Sequence, residues 1–95
     1  MPYVLKKKEN AQIFTMFMKN SYGLEYYGTP SWENRKELEG NWTEILTQLG
    51  IREGQWEIVE VDQSQVRLFN VKLNNDPRKR LYMDIATGKS FTELS

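Results

Sequence analysis

The sequence predicts an α+β fold: one antiparallel sheet of about six strands, curved or barrel-like, with one helix or two short helices inserted after the third strand. Three observations carry this. Apolar residues recur at period two on both sides of the chain's middle. One segment in the middle follows the helical period instead. The connections between strand candidates are short, and short connections mean antiparallel hairpins because parallel pairs need long crossovers. The apolar face of the helix then packs on the sheet.

Taken in order, Tyr3-Val4-Leu5 reads as a short strand, followed by the polar turn Lys8-Glu9-Asn10. Ala11 to Lys19 is the most apolar run. As a strand it sets Ile13, Thr15 and Phe17 on one face and Phe14, Met16 and Met18 on the other, so it reads as a central strand covered on both sides. Asn20-Ser21-Tyr22-Gly23 has turn composition, and Leu24 to Tyr27 pairs back as a third strand. Thr29 is placed to cap a helix with Pro30 at its first position.

Residues 31–39 are good helix formers with only Trp32 and Leu38 apolar. They form either a first helix that ends at Gly40 or the front of one longer helix. Asn41 with Glu44 has the form of a capping box, with Asn in place of Ser or Thr. Trp42, Ile45, Leu46 and Leu49 follow on one helical face, and Gly50 stands at the closing position. The 41–49 helix is the firmest element of this reading. From Gln55 the period returns to two. Trp56 to Val61 is read as a strand, Asp62-Gln63-Ser64-Gln65 as a turn and Val66 to Leu73 as a strand with Arg67, Phe69, Val71 and Leu73 on one face. Asn74-Asn75-Asp76-Pro77 breaks the chain. Leu81 to Ile85 is a strand with Leu81, Met83 and Ile85 inward and Tyr82 and Asp84 outward; Ser90 to Leu94 adds a last one.

The 95 residues suit one domain over 1–95, and a chain of this length buries roughly 65% of its unfolded surface, enough for a modest core. There is no cysteine and no histidine. That removes disulfides, thiolate nucleophiles, zinc–sulfur sites and the commonest general base and metal ligand. The reading is of a chain that is not an enzyme, with no cofactor and no metal. Basic and acidic residues balance at 13 each, so no net field draws a polyanion or an anionic membrane. The balance is uneven along the chain: four Lys against two Glu in residues 1–32, three basic against seven acidic in 33–60, six basic against four acidic in 61–95. No signal-peptide or membrane-spanning pattern is seen, so a cytoplasmic location is expected.

Each motif has a plainer explanation beside its chemical one. Gly88-Lys89-Ser90 has the tail of a phosphate-binding loop, but Met83 stands where that loop needs glycine, so it reads as a hairpin turn. Asn41-Trp42-Thr43 matches a glycosylation site by chance in a chain expected to stay inside the cell. Glu33 and Glu37 share a face of the helix reading among Arg35 and Lys36, which is a solvated surface; Asp84 is placed to pair with Arg67 or Lys72. Trp42 and Trp56 read as core. Tyr22, Tyr26, Tyr27 and Trp32 form the densest aromatic group near a loop and are the candidate binding residues.

The function expected is therefore a small non-catalytic binding or accessory protein, acting through contacts with a protein partner or with itself, most simply as a homo-oligomer that covers its sheet edges. The alternative is nucleic-acid binding through sheet aromatics (Tyr26, Tyr82) and two basic loops, Lys6, Lys7, Lys8 and Arg78, Lys79, Arg80. Binding that falls steeply with salt would mark it. A second alternative is a small-ligand or enzymatic role in a cavity between helix and sheet.

Overall fold

The computed structural model describes residues 1–49 and 53–94. It is an α+β fold with an open five-stranded antiparallel sheet, a separate two-stranded hairpin and two helices. The strands are β1 (Tyr3–Lys7), β2 (Gln12–Ile13), β3 (Met16–Lys19), β4 (Glu25–Gly28), β5 (Trp56–Glu60), β6 (Lys79–Met83) and β7 (Ser90–Leu94). The helices are α1 (Arg35–Leu49) and α2 (Gln63–Leu73). The main sheet runs β5-β1-β2-β6-β7, and β3 pairs only with β4.

β1 explains the layering. Val4 and Leu5 are neighbours in a strand, so they point to opposite faces, yet both are buried. Val4 joins Ile13, Val66, Phe69, Leu73, Leu81 and Met83 in a core under α2. Leu5 joins Phe14, Leu38 and Trp42 in a second core under α1, with Ile45, Trp56 and Ile58 against it. The two helices therefore cover opposite faces of one sheet. The pairing partners on β5 obey the same parity: Val59 opposite Val4 lies in the first core, and Ile58 opposite Leu5 lies in the second.

The largest departure from the sequence reading is Val66 to Leu73, which is the body of α2 and not a strand. Val66, Phe69 and Leu73 are spaced i, i+3, i+7 and are buried, whereas Val71, which the strand reading sets beside Phe69, is 67% exposed. The residues read as a turn start this helix. The Asp62 N–H donates to Gln65 Oε1 at 2.7 Å, the return arm of a capping box, and Asn74 closes the helix in the left-handed region.

Residues 11–19 are two strands in two sheets, not one central strand. The chain leaves the main sheet after Ile13, and Phe14 drops into the α1 core, edge-on to Trp42 and Trp56. α1 is one continuous helix through Gly40. Asn34 caps it, accepting from Lys36 N at 2.8 Å and Glu37 N at 3.3 Å. Thr29 is no cap: its main-chain N–H donates to Asn70 Oδ1, and its buried hydroxyl has no partner among the described residues. Asn41 is interior to α1 and donates to the Glu37 carbonyl. Glu33 precedes the helix. The proposed closing residue Gly50 and the side chains of Leu46 and Leu49 lie outside the described residues. Leu81 and Met83 are buried as expected, but Ile85 lies beyond β6 and is exposed.

Candidate functional site

The aromatic group singled out in the sequence divides in two. Tyr22, Tyr26 and Tyr27 belong to the β3–β4 hairpin, while Trp32 lies beyond β4, exchanging main-chain bonds with Tyr3 and packing on the α1 core. Within the hairpin the tyrosines do different work. Tyr27 packs on the α2 core, and its hydroxyl bonds that of Thr15. Tyr26 is half-buried beside Met18, its register partner. Tyr22, at the turn, is 87% exposed.

The surface that Tyr22 belongs to was not the one expected. Phe17 (51% exposed) and Leu24 (64% exposed) stand on the same hairpin. Phe17 falls in the apolar run 11–19 that reads as a covered strand, and Leu24 reads as the start of the strand that pairs back on it. Phe17 packs edge-on against Tyr27, with centroids 5.4 Å apart. The turn itself is built by Asn20. Its Oδ1 accepts from Tyr22 N at 2.9 Å and Leu24 N at 3.0 Å, and Gly23 supplies a φ of 78°.

Two asparagines tie this hairpin to α2 and its exit. Asn70 Oδ1 accepts from Thr29 N at 2.9 Å, and Asn75 Oδ1 accepts from Tyr27 N at 2.7 Å. The approach is close because residue 28 is glycine: a Cβ there would lie 2.6 Å from Asn70 Oδ1. The hairpin is thus held by two main-chain N–H groups bonded to asparagine side chains as well as by packing, and its apolar tip is presented on a fixed base.

The basic triplets are not brought together. β1 and β6 both pair with β2, and the registers set Lys6 level with Leu81 and Tyr3 level with residue 78. Lys6, Lys7 and Lys8 are therefore offset by three residues along the sheet from Arg78, Lys79 and Arg80, and Lys6, one step from Arg80, lies on the opposite face from it. Lys6 pairs with Glu57 at 2.9 Å, Lys79 Nζ donates to the Lys72 carbonyl and Arg78 pairs with Asp76. Arg78 holds the Asp76 carboxyl down to about 2, and Asp76 in turn raises Arg78. The Glu60 carboxylate beside Tyr3 pushes that phenol up. These are neighbouring charges at the surface, not a poised acid and base.

Among the described residues no three acidic side chains gather where they could hold a metal ion. Asp84 turns back to accept from Ala86 N and reaches neither Arg67 nor Lys72. Lys72 instead donates to the carbonyl and hydroxyl of Ser90. No helix among the described residues is long and apolar enough to cross a membrane. Comparison with protein-family models, with curated proteins and with solved structures finds no match to this chain.

Proposed function

We propose that this chain is a small non-catalytic binding protein that works through protein–protein contacts, with the β3–β4 hairpin as its contact element. One observation carries the reading: Tyr22 and Leu24 are exposed at the tip of a hairpin outside the main sheet whose base is fixed by Asn70 and Asn75, with Phe17 exposed on one of its faces. Aromatic and aliphatic side chains on a rigid base lose little freedom on binding, which is what makes them effective anchors. A chain without histidine or cysteine and with balanced charge is consistent with contact rather than chemistry.

The test is a double variant, Tyr22→Ser with Leu24→Ser. Neither side chain is buried, so the fold should survive, and circular dichroism would verify that. A protein partner purified with the wild-type chain should bind the variant at least about tenfold more weakly, the scale of losing one or two anchors. Undiminished affinity in a folded variant would remove the hairpin from the reading.

A further inference from the structure

We propose that β7 is the seam of a two-fold symmetric dimer, in which a second copy of this chain continues the main sheet with Phe91 facing Phe91. This self-association uses a different surface from the hairpin and goes beyond the partner contact proposed above.

Among the described residues β7 is the last strand of the sheet, paired on one side only. Which main-chain groups face out follows from its register. Asp84 N donates to the Lys89 carbonyl, so Asp84 and Lys89 are a bonded pair. Bonded pairs alternate along an antiparallel ladder, so Phe91 and Glu93 also turn their main-chain groups towards β6. Ser90, Thr92 and Leu94 turn theirs outward. Lys72 donating to the Ser90 carbonyl from α2 agrees with this. That carbonyl keeps a second lone pair, so the edge remains able to pair.

The side chains make the edge complementary to itself. Read outward from Phe91, the segment Lys89-Ser90-Phe91-Thr92-Glu93 carries a cation at one end, an acid at the other and a hydroxyl residue on each side between. Paired antiparallel about Phe91, each Ser90 meets Thr92 of the second copy and exchanges both main-chain bonds with it. Each Lys89 meets Glu93 of the second copy. Phe91 meets its own symmetry mate at a non-bonded position, where Cα atoms are about 4.5 Å apart and side chains are closest.

The neighbours within each chain extend the match. Lys89 is already opposite Asp84, and Glu93 opposite Arg80. Across the seam the order becomes Asp84, Lys89, then Glu93 and Arg80 of the second copy, alternating in sign. Tyr82 stacks on Phe91 with centroids 5.3 Å apart and planes 17° apart, so the central row becomes four rings. This row lies on the half of the sheet that α1 leaves open, where Phe91 is 51% exposed. On the other face Leu68, also exposed, stands one turn from Lys72 on the flank of α2 nearest β7, and a two-fold axis through the seam brings both copies of it there.

The measurement is native mass by sedimentation, on the full chain, with four variants of the β7 seam and the hairpin double variant. Wild type should sediment at twice the 11.3 kDa chain mass. Glu93→Lys sets one lysine against Lys89 of the second copy at each end of the seam and should give single chains, as should Lys89→Glu. The double exchange, Lys89→Glu with Glu93→Lys, restores opposite signs and should restore the dimer. The chain has no cysteine of its own, so Phe91→Cys should form a linked dimer under mild oxidation, since the Cα spacing suits a disulfide. Wild type that stays a single chain, with Phe91→Cys unlinked, would overturn the seam. So would a dimer that Glu93→Lys leaves intact. A dimer lost in Tyr22→Ser/Leu24→Ser but kept in Glu93→Lys would move self-association to the hairpin and spare the contact reading. Loss of a hairpin partner with the β7 dimer unchanged separates the two in the other direction.

Discussion

Gly28 is the position where one atom decides the arrangement of a whole surface. Its conformation is ordinary, so the glycine is there for space. Asn70 Oδ1 lies 2.6 Å from where a Cβ would stand, too close for one, and from there accepts the Thr29 N–H that anchors the hairpin. Gly28→Ala should therefore destabilise the protein by about 1–3 kcal/mol, the cost of overpacking and of a lost buried bond. Asn70→Ala should cost a similar amount by leaving Thr29 N unpaired. Because the two act through one contact, the double variant should cost less than their sum by roughly 0.5 kcal/mol or more. Urea denaturation of the four proteins measures this; strict additivity would mean that Asn70 does not hold the hairpin.

Among the elements, α2 shows why part of the fold was legible and part was not. The segment Val66-Arg67-Leu68-Phe69-Asn70-Val71-Lys72-Leu73 satisfies both periods at once, because apolar residues fall at 66, 68, 69, 71 and 73. Its β-branched and aromatic content tilted the reading towards strand. The deciding signal was local: Asp62 followed three residues later by Gln65, a cap-like pair read as a turn. The split of residues 11–19 was hidden for a different reason. Phe14 is apolar whether it lies in a sheet or fills the core after leaving one, so composition cannot mark the exit. By contrast, the β3–β4 and β6–β7 hairpins were readable, because Asn20-Ser21-Tyr22-Gly23 and Ala86-Thr87-Gly88-Lys89 are turn residues with a physical requirement at Gly23 and Gly88. Tyr22 was found as a surface residue for the same reason; Phe17 and Leu24 were not, since nothing local distinguishes an uncovered hairpin from a covered strand. The two assignments of 66–73 differ at Val71. In the helix it faces water, so Val71→Glu should change stability by less than about 0.5 kcal/mol. Phe69→Ala, in the core, should cost about 3–5 kcal/mol. Equal losses at both positions, read from thermal or urea melts, would restore the strand.

At the scale of the molecule, two cores share one sheet, and β1 and β5 each serve both. The α2 core and the α1 core lie on opposite faces of the sheet, and β1 supplies Val4 to one and Leu5 to the other. β1 also cannot pair with β5 until residues 56–60 are in place, and β2 waits for β6, so the sheet closes through contacts distant in sequence. A fold built this way has no independent half to fall back on. Removing apolar volume on one side of β1 should weaken both sides, because displacing the strand withdraws Val4 as well as Leu5. Leu5→Ala should cost about 2–5 kcal/mol overall. The informative readout is where the loss appears. Amide hydrogen exchange in Leu5→Ala should accelerate in α2 as much as in α1, although Leu5 belongs to the α1 core alone. Acceleration confined to α1, with α2 still protected at its wild-type level, would show that the two layers open separately and that the shared strand does not couple them.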